Sequence, residues 1–204
     1  MEVAYDGYIS KHLNRKASEP VAQLLAKTKI TPNQVSWAAF GIALLSFISF
    51  IYGLNIVGGI LVQLSSIVDG IDGSLARLKG MTSTFGGFLD SVLDRYADIL
   101  IVLGLILWAL AHETYPGIWL AGFLAMAGTI CVSYTRARIG ADYRQLFDKG
   151  LKSLASRDIR LFLIMLGGII GQAYFCLITI AVLTNFVVFY RLIYLHRYLG
   201  QKGN

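Results

Sequence analysis

Long apolar runs alternate along this chain with short stretches that hold nearly all of its cations. Runs close to the length needed to cross a bilayer, about 20 residues, cover residues 35–53, 56–76, 85–110, 117–137, 160–175 and 176–195. Ahead of them, residues 7–28 set Tyr8, Ile9, Leu13, Val21, Leu24 and Leu25 among charged and small polar residues. That loose amphipathic pattern suits a helix lying along a membrane surface, with Pro20 breaking or restarting it. Thr31-Pro32-Asn33 reads as a helix start, Thr31 as N-cap and Pro32 at the first helical position, where its missing N–H is harmless. The pattern predicts an all-α integral membrane fold of six transmembrane helices preceded by a surface amphipathic helix. Residues 1–204 form one membrane domain, with 1–30 juxtamembrane and 31–197 the six-helix core. No signal peptide, internal repeat or low-complexity linker is expected to divide it.

Composition supports the membrane setting: 56% of residues are hydrophobic, 15% are charged, and the mean hydropathy is +0.63. These values lie outside the usual soluble range. Lys11, Arg15, Lys16, Lys27 and Lys29 precede the first span, Arg77 and Lys79 follow the second, and Arg191, Arg197 and Lys202 close the chain. Arg136, Arg138, Arg144, Lys149, Lys152, Arg157 and Arg160 surround the connection between the fourth and fifth spans. The alternate connections, 53–56, 111–117 and 167–172, hold only Glu113 as a charge. By the positive-inside rule both termini face the cytoplasm, in a multi-pass protein of the plasma membrane. The net charge of +6 is thereby gathered on one face, where it meets anionic lipids or a phosphorylated substrate. Nucleic acid is not an expected partner, because the cations are dispersed over juxtamembrane loops with no soluble binding fold. Cys131 and Cys176 fall in apolar runs and read as small buried hydrophobes, and His12, His112 and His196 stand singly near span ends.

Against this background Asp69, Asp72, Asp90 and Asp94 stand out. A charged residue at mid-helix costs about 2.5–3.5 kcal/mol on insertion scales, so acids in such runs mark a polar cavity, a metal site or both. At about 100° per residue, Asp69 and Asp72 share one helix face, and Asp90 and Asp94 lie one turn apart on another. Gly73 follows Asp69 by four residues, Ala76 follows Asp72 by four, and Gly86 precedes Asp90 by four, which clears space beside each carboxylate. The short connection 79–84 predicts that the two helices are antiparallel neighbours. Four close carboxylates repel strongly, by about 4 kcal/mol per pair at 4 Å and an effective dielectric of 20. Divalent cations answer that repulsion, and hard oxygen ligands favour Mg²⁺ or Mn²⁺ over zinc. Two such ions would balance four carboxylates and clamp a pyrophosphate. A purely structural network with Arg77 and Arg95 lacks the cations to balance five acids once Asp98 is included.

The run Asp69-Gly-Ile-Asp72-Gly73-Ser-Leu-Ala76-Arg77, eight residues, then Gly86, Asp90 and Asp94 at four-residue steps resembles the signature of the CDP-alcohol phosphotransferase family. The resemblance implies cleavage of a CDP-alcohol at its pyrophosphate, release of CMP, and transfer of the phospho-alcohol to a hydroxyl acceptor. It implies that Asp69, Asp72 and Asp90 hold the metals, that Asp94 is a ligand or close to one and serves as general base, and that Gly73, Ala76 and Gly86 leave room for the nucleotide beside Asp69. Arg77 would lie along the nucleotide's phosphates or ribose. Family members are often dimers. The stretches Ser10–Ser18 and Thr28–Gln34, with Ser156-Arg157-Asp158, look most like archaeal and bacterial members that handle inositol phosphates. Some of these carry a cytidylyltransferase domain, which is not expected within these 204 residues, and the expected donor is either a lipid or a soluble CDP-alcohol.

For a phosphorylated acceptor, Arg136 and Arg157 are the expected contacts, each at a predicted helix end in the same layer as the acids. Asp98, one turn beyond Asp94, reads as a supporting residue outside the signature. Two other functions use similar acids. A divalent-cation transporter or channel would need carboxylates along a continuous path, and an intramembrane Mg²⁺-dependent prenyltransferase would need a second Asp-rich motif and more spans.

Overall fold

The computed structural model describes residues 9–139, 143, 145–147 and 150–202. Arg144 and Lys149 among the loop cations, and Tyr8 of the amphipathic pattern, lie outside the described residues, as do the side chains of Lys11, His12 and Lys202. The described residues form helices α1 (Arg15–Ala26), α2 (Pro32–Ile51), α3 (Asn55–Lys79), α4 (Thr84–His112), α5 (Ile118–Arg138), α6 (Arg157–Ile170) and α7 (Ala173–Lys202). Short helical turns stand at Ser10–Asn14, Gln145–Phe147 and Gly150–Ser153.

Four of these, α2, α3, α5 and α7, are long and apolar enough to cross a membrane by length and composition. The fifth expected span is shorter than its hydropathy suggests. α6 has 14 residues, about 21 Å of rise, because Gly171 adopts a left-handed conformation (φ 71°) and its N–H closes on Gly167 and Gly168 carbonyls. The turn therefore falls at residues 171–172, within the cation-free 167–172 connection, and not at the 175–176 limit drawn between the two apolar runs. α4 is long enough but carries Asp90, Asp94, Arg95 and Asp98 in its first half.

The predicted start of α2 is borne out. The Thr31 hydroxyl accepts from the Gln34 N–H while the Gln34 side chain accepts from the Thr31 N–H, with Pro32 just inside. Pro20, in contrast, does not break α1. The carbonyl that loses its partner belongs to Lys16, which is exposed, so it need not stay unsatisfied. α1 buries Ala22 against Ile71 and Leu75 of α3, and Ser18 packs on Gly70. Just before it, Asn14 is buried and exchanges hydrogen bonds with Ser66 and Gln63 of α3, at 3.0 and 2.7 Å. The N-terminal helix is thus fastened to the half of α3 that carries the acids.

One expectation about neighbours needs correction. α3 and α4 run in opposite directions through the turn at 80–83, yet they make almost no direct packing contact. α2 packs extensively on both and separates them. Its buried face is built of Ser36, Ala39, Ala43 and Ser46, small enough for close approach; the Ser65 hydroxyl donates to Ala39 O and the Ser46 hydroxyl to Gly58 O. α6 packs along the far side of α3, and α7 along α5. The main apolar core, including Phe50, Val62, Ile101, Leu105, Trp108, Ile164 and Leu177, fills the end of the bundle away from the acids. Outward-facing Leu45, Ile48, Ile60, Phe123, Val182 and Phe189 give the bundle an apolar exterior, as a lipid-facing surface requires.

Candidate active site

Because α2 holds α3 and α4 apart, the first half of α4 and the second half of α3 face each other across a gap. Into it point the acids of both helices. Carboxylate oxygens from Asp69, Asp72 and Asp90 all lie within 4.8 Å of one another. Two oxygens on opposite sides of an Mg²⁺ ion stand about 4.2 Å apart, so small side-chain rotations would bring this set to bonding distance. All three donors are hard carboxylate oxygens, which suits Mg²⁺ or Mn²⁺. The residues fit the metal that the sequence implies. Asp72 is steadied by Ser36 of α2, whose hydroxyl donates to Asp72 Oδ2.

Asp94 lies beside this set rather than within it. Its Oδ1 is 2.9 Å from Arg157 Nη1, and its Oδ2 is 3.4 Å from Arg95 Nη2. Arg157, the first residue of α6, reaches into the gap and touches three acids at once. Its Nη1 also sits 2.6 Å from Asp69 Oδ2, and its Nε donates to Asp98 Oδ1 at 3.0 Å. Asp98 and Arg160 are each only 2% exposed and pair at 3.0 Å, while Arg160 Nη1 donates to Ala155 O at 2.7 Å. Arg95 adds a contact to Asp98 at 3.4 Å. Five carboxylates thus share this region with three guanidiniums, whose ion contacts go to Asp69, Asp94 and Asp98, leaving an excess of negative charge where the three-acid set lies.

A cleft of about 290 Å³ opens beside these groups. Asp69, Asp72, Gly73, Arg77, Asp90, Asp94, Arg136 and Arg157 all line it, so most of the residues singled out from the sequence share one space. Arg77 is exposed, with Nη2 donating to Ser74 Oγ at 3.1 Å rather than to an acid. Gly73 borders the cleft with room beside it: an added Cβ would meet only the Arg77 Nη1 atom, at 3.5 Å. Ala76 and Gly86 are not among the lining residues. Gly86 belongs to the capped start of α4, where its N–H donates to Ser83 Oγ at 3.0 Å and Asn33 of α2 stands close by.

Further groups join the site, some from stretches singled out only for their resemblance and two, Ser66 and Gly70, not singled out in the sequence at all. Ser10 and Arg15 from the N-terminal segment, Ser66 and Gly70 of α3, and Ser156 and Asp158 at the start of α6 also line the cleft. The Ser10 N–H donates to Asp158 Oδ2 at 2.9 Å, linking the N-terminal segment to α6 across the opening. Arg160 stands in the sequence as one of the many cations around the fourth-to-fifth connection, with no contact to the acids expected for it. Its position three residues after Arg157 puts both guanidiniums on one helix face, which was the available signal for a buried cation pair facing the acids.

The sequence profile described as CDP-alcohol phosphatidyltransferase matches residues 29–195, most of the chain and all of the acid motif. The chain belongs to the CDP-alcohol phosphatidyltransferase family. Among relatives in this family, a bifunctional IPC transferase and DIPP synthase of Thermococcus kodakarensis is 42% identical over 190 residues, covering 90% of this chain and 43% of that protein. An archaetidylinositol phosphate synthase of Methanothermobacter thermautotrophicus is 30% identical over 186 residues, covering 88% of this chain and 89% of its own. The chain spans less than half the length of the bifunctional relatives it matches. A phosphatidylinositol phosphate synthase of Mycobacterium tuberculosis, crystallised with CDP-DAG, superposes with a TM-score of 0.73 at 22% identity, covering 87% of this chain and 92% of that one. The same enzyme in complex with manganese and citrate gives 0.73 at 24% identity, covering 86% and 87%. At these identities the likeness is one of fold.

Proposed function

We propose that this protein transfers the phospho-alcohol group of a CDP-alcohol to a hydroxyl acceptor, releasing CMP. The observation that carries this reading is the convergence of the Asp69, Asp72 and Asp90 oxygens within 4.8 Å on the wall of a cleft that Arg77, Arg136 and Arg157 also line. Acids that bind metal and cations that bind phosphate share one opening, as cleavage of a pyrophosphate requires. Asp69, Asp72 and Asp90 would hold divalent metal, two ions in this reading, with Asp94 as a further ligand or near neighbour. Bound there, Mg²⁺ or Mn²⁺ supplies charge stabilisation to the pyrophosphate.

The chain's own groups do the rest. Asp94 takes the proton of the acceptor hydroxyl; that oxygen attacks the phosphorus bearing the alcohol, and the bond from this phosphorus to CMP breaks, CMP leaving with the electron pair. Transfer is a direct displacement with no covalent intermediate on the protein. Gly73 keeps the nucleotide's approach free of bulk, Ala76 and Gly86 are small members of the same motif set back from the cleft lining, and Arg77 lies along the nucleotide's phosphates or ribose. Arg136 and Arg157 stand within the cleft for the phosphate of an acceptor. An inositol phosphate or another small phosphorylated polyol is the favoured acceptor class, supported by the names of the T. kodakarensis and M. thermautotrophicus relatives. The donor is a lipid or soluble CDP-alcohol.

In this reading α4 and α6 join the four apolar helices as membrane spans, α1 rests on the membrane surface among anionic lipids, and both termini and the cleft face the cytoplasm of a plasma-membrane homodimer. The test is incubation of purified protein and Mg²⁺ or Mn²⁺ with a panel of CDP-alcohols and acceptors, with CMP measured. Metal-dependent CMP release with an inositol phosphate acceptor is expected. No CMP from any pair would turn attention to cation transport, measured as ion flux in liposomes. The acids argue against that alternative, since they gather at one end of the bundle rather than along a path.

A further inference from the structure

Arg157 occupies an unusual place for a residue that sequence pattern assigns to the acceptor. Its Nη1 bridges Asp69 Oδ2 at 2.6 Å and Asp94 Oδ1 at 2.9 Å, joining acids from two helices that scarcely touch. Asp69 also belongs to the three-carboxylate set, so an oxygen-bearing group needed for metal is already engaged by a cation. The Nε of the same guanidinium sits on Asp98, which lies outside that set and is fixed by Arg160 and Arg95. One side of the guanidinium therefore rests on a permanent anchor, while the other rests on groups with a competing use.

We propose that Arg157 is a resident counter-cation of the metal centre: it neutralises Asp69 and Asp94 while metal is absent, and metal loading releases Nη1 from them while Nε remains on Asp98. This rests on the metal-binding reading given above. A divalent ion among Asp69, Asp72 and Asp90 repels a guanidinium held against Asp69 and also supplies the neutralisation that the guanidinium provided. The released Nη1 turns to the cleft that Arg136 lines, where a phosphate is the available anion. Metal and phosphorylated acceptor thereby favour each other's binding, and by linkage the effect runs equally in both directions.

The test compares wild type, Arg157→Gln and Arg157→Lys, all purified as the full chain in detergent micelles, by Mn²⁺ titration calorimetry and by thermal unfolding in EDTA and in saturating Mn²⁺. Arg157→Gln is expected to bind Mn²⁺ about tenfold more tightly than wild type, a size typical of coupled sites. It should unfold at a lower temperature than wild type in EDTA, and that deficit should shrink by more than half in Mn²⁺. A guanidinium that only braces α6 would give the same deficit in both conditions, and that result, or equal Mn²⁺ affinity, overturns the proposal. Arg157→Lys keeps the charge but lacks a fork that can span three acids, so it is expected to bind Mn²⁺ about threefold more tightly than wild type. It serves if Arg157→Gln does not fold, and unchanged affinity in Arg157→Lys overturns the proposal as well. Absence of Mn²⁺ binding in wild type and both variants would instead remove the metal reading on which the inference stands.

Discussion

Gly168 of α6 rests against Gly59 of α3 so closely that a Cβ added to Gly168 would lie 3.1 Å from the Gly59 Cα and 2.9 Å from Asn55 O. Asn55 Nδ2 donates to Gly168 O at the same crossing, at 2.8 Å. Counting from this contact, Asp69 lies ten residues along α3 and Arg157 eleven residues back along α6, nearly equal arms of about 15 and 16.5 Å on an antiparallel pair. The glycine crossing at one end sets how α6 delivers Arg157 to Asp69 at the other. Gly168→Ala is expected to lower stability by about 1–3 kcal/mol, because backbone rather than a mobile side chain must yield. Gly41 of α2 has no heavy atom within 4 Å of an added Cβ, so Gly41→Ala is expected to stabilise by about 0.5–1 kcal/mol. Thermal unfolding of the two variants, side by side, checks both signs.

Asp94→Asn should lower CMP release by about 10²- to 10⁴-fold while Mn²⁺ and nucleotide binding stay detectable, since the proton acceptor is lost but Asp69, Asp72 and Asp90 remain. Asp69→Asn should weaken metal and nucleotide binding together. Binding calorimetry alongside a CMP assay separates the two, and undiminished turnover in Asp94→Asn would withdraw the general-base assignment.

Ser36 offers a test away from the acids themselves. Its hydroxyl is the donor that holds Asp72 from the α2 side, and removal of such supporting bonds typically costs about 10- to 100-fold in metal affinity or activity. Ser36→Ala should therefore reduce Mn²⁺ affinity about tenfold with little change in unfolding temperature.

At the opposite end of the bundle, Glu113 accepts hydrogen bonds from the Ala173 and Tyr174 N–H groups, both at 2.8 Å. The one charge in the cation-poor connections thus caps the start of α7. Glu113→Ala should destabilise by about 1 kcal/mol, read by thermal unfolding, with CMP release per folded molecule unchanged.

Much of this arrangement is legible in the residues. Thr31 and Pro32 mark the start of α2, and the spacing of Asp69, Asp72, Asp90 and Asp94 marks the site, because caps and helical periodicity are local properties. The α6–α7 boundary is legible only in part: apolar residues run through both helices, but the cation-free 167–172 connection contains Gly171, whose left-handed conformation stops the first. Helix order in space is equally hidden. A short 80–83 turn suggests that α3 and α4 pack together, but small residues on α2 let it come between them, a tertiary choice that neither sequence spacing nor loop length encodes. Arg157 among the acids follows from the same cause, since its place depends on how α6 crosses α3.

The separation of α3 from α4 has a mechanical consequence. Opposite banks of the cleft are tied near its acids by the 80–83 turn, by α2 and by the Arg157 bridge, so a molecule spanning the gap acts as a cross-brace. Occupied, the assembly should stiffen most where its carboxylates stand, and amide exchange should slow along residues 66–77 and 86–98 together rather than in either stretch alone.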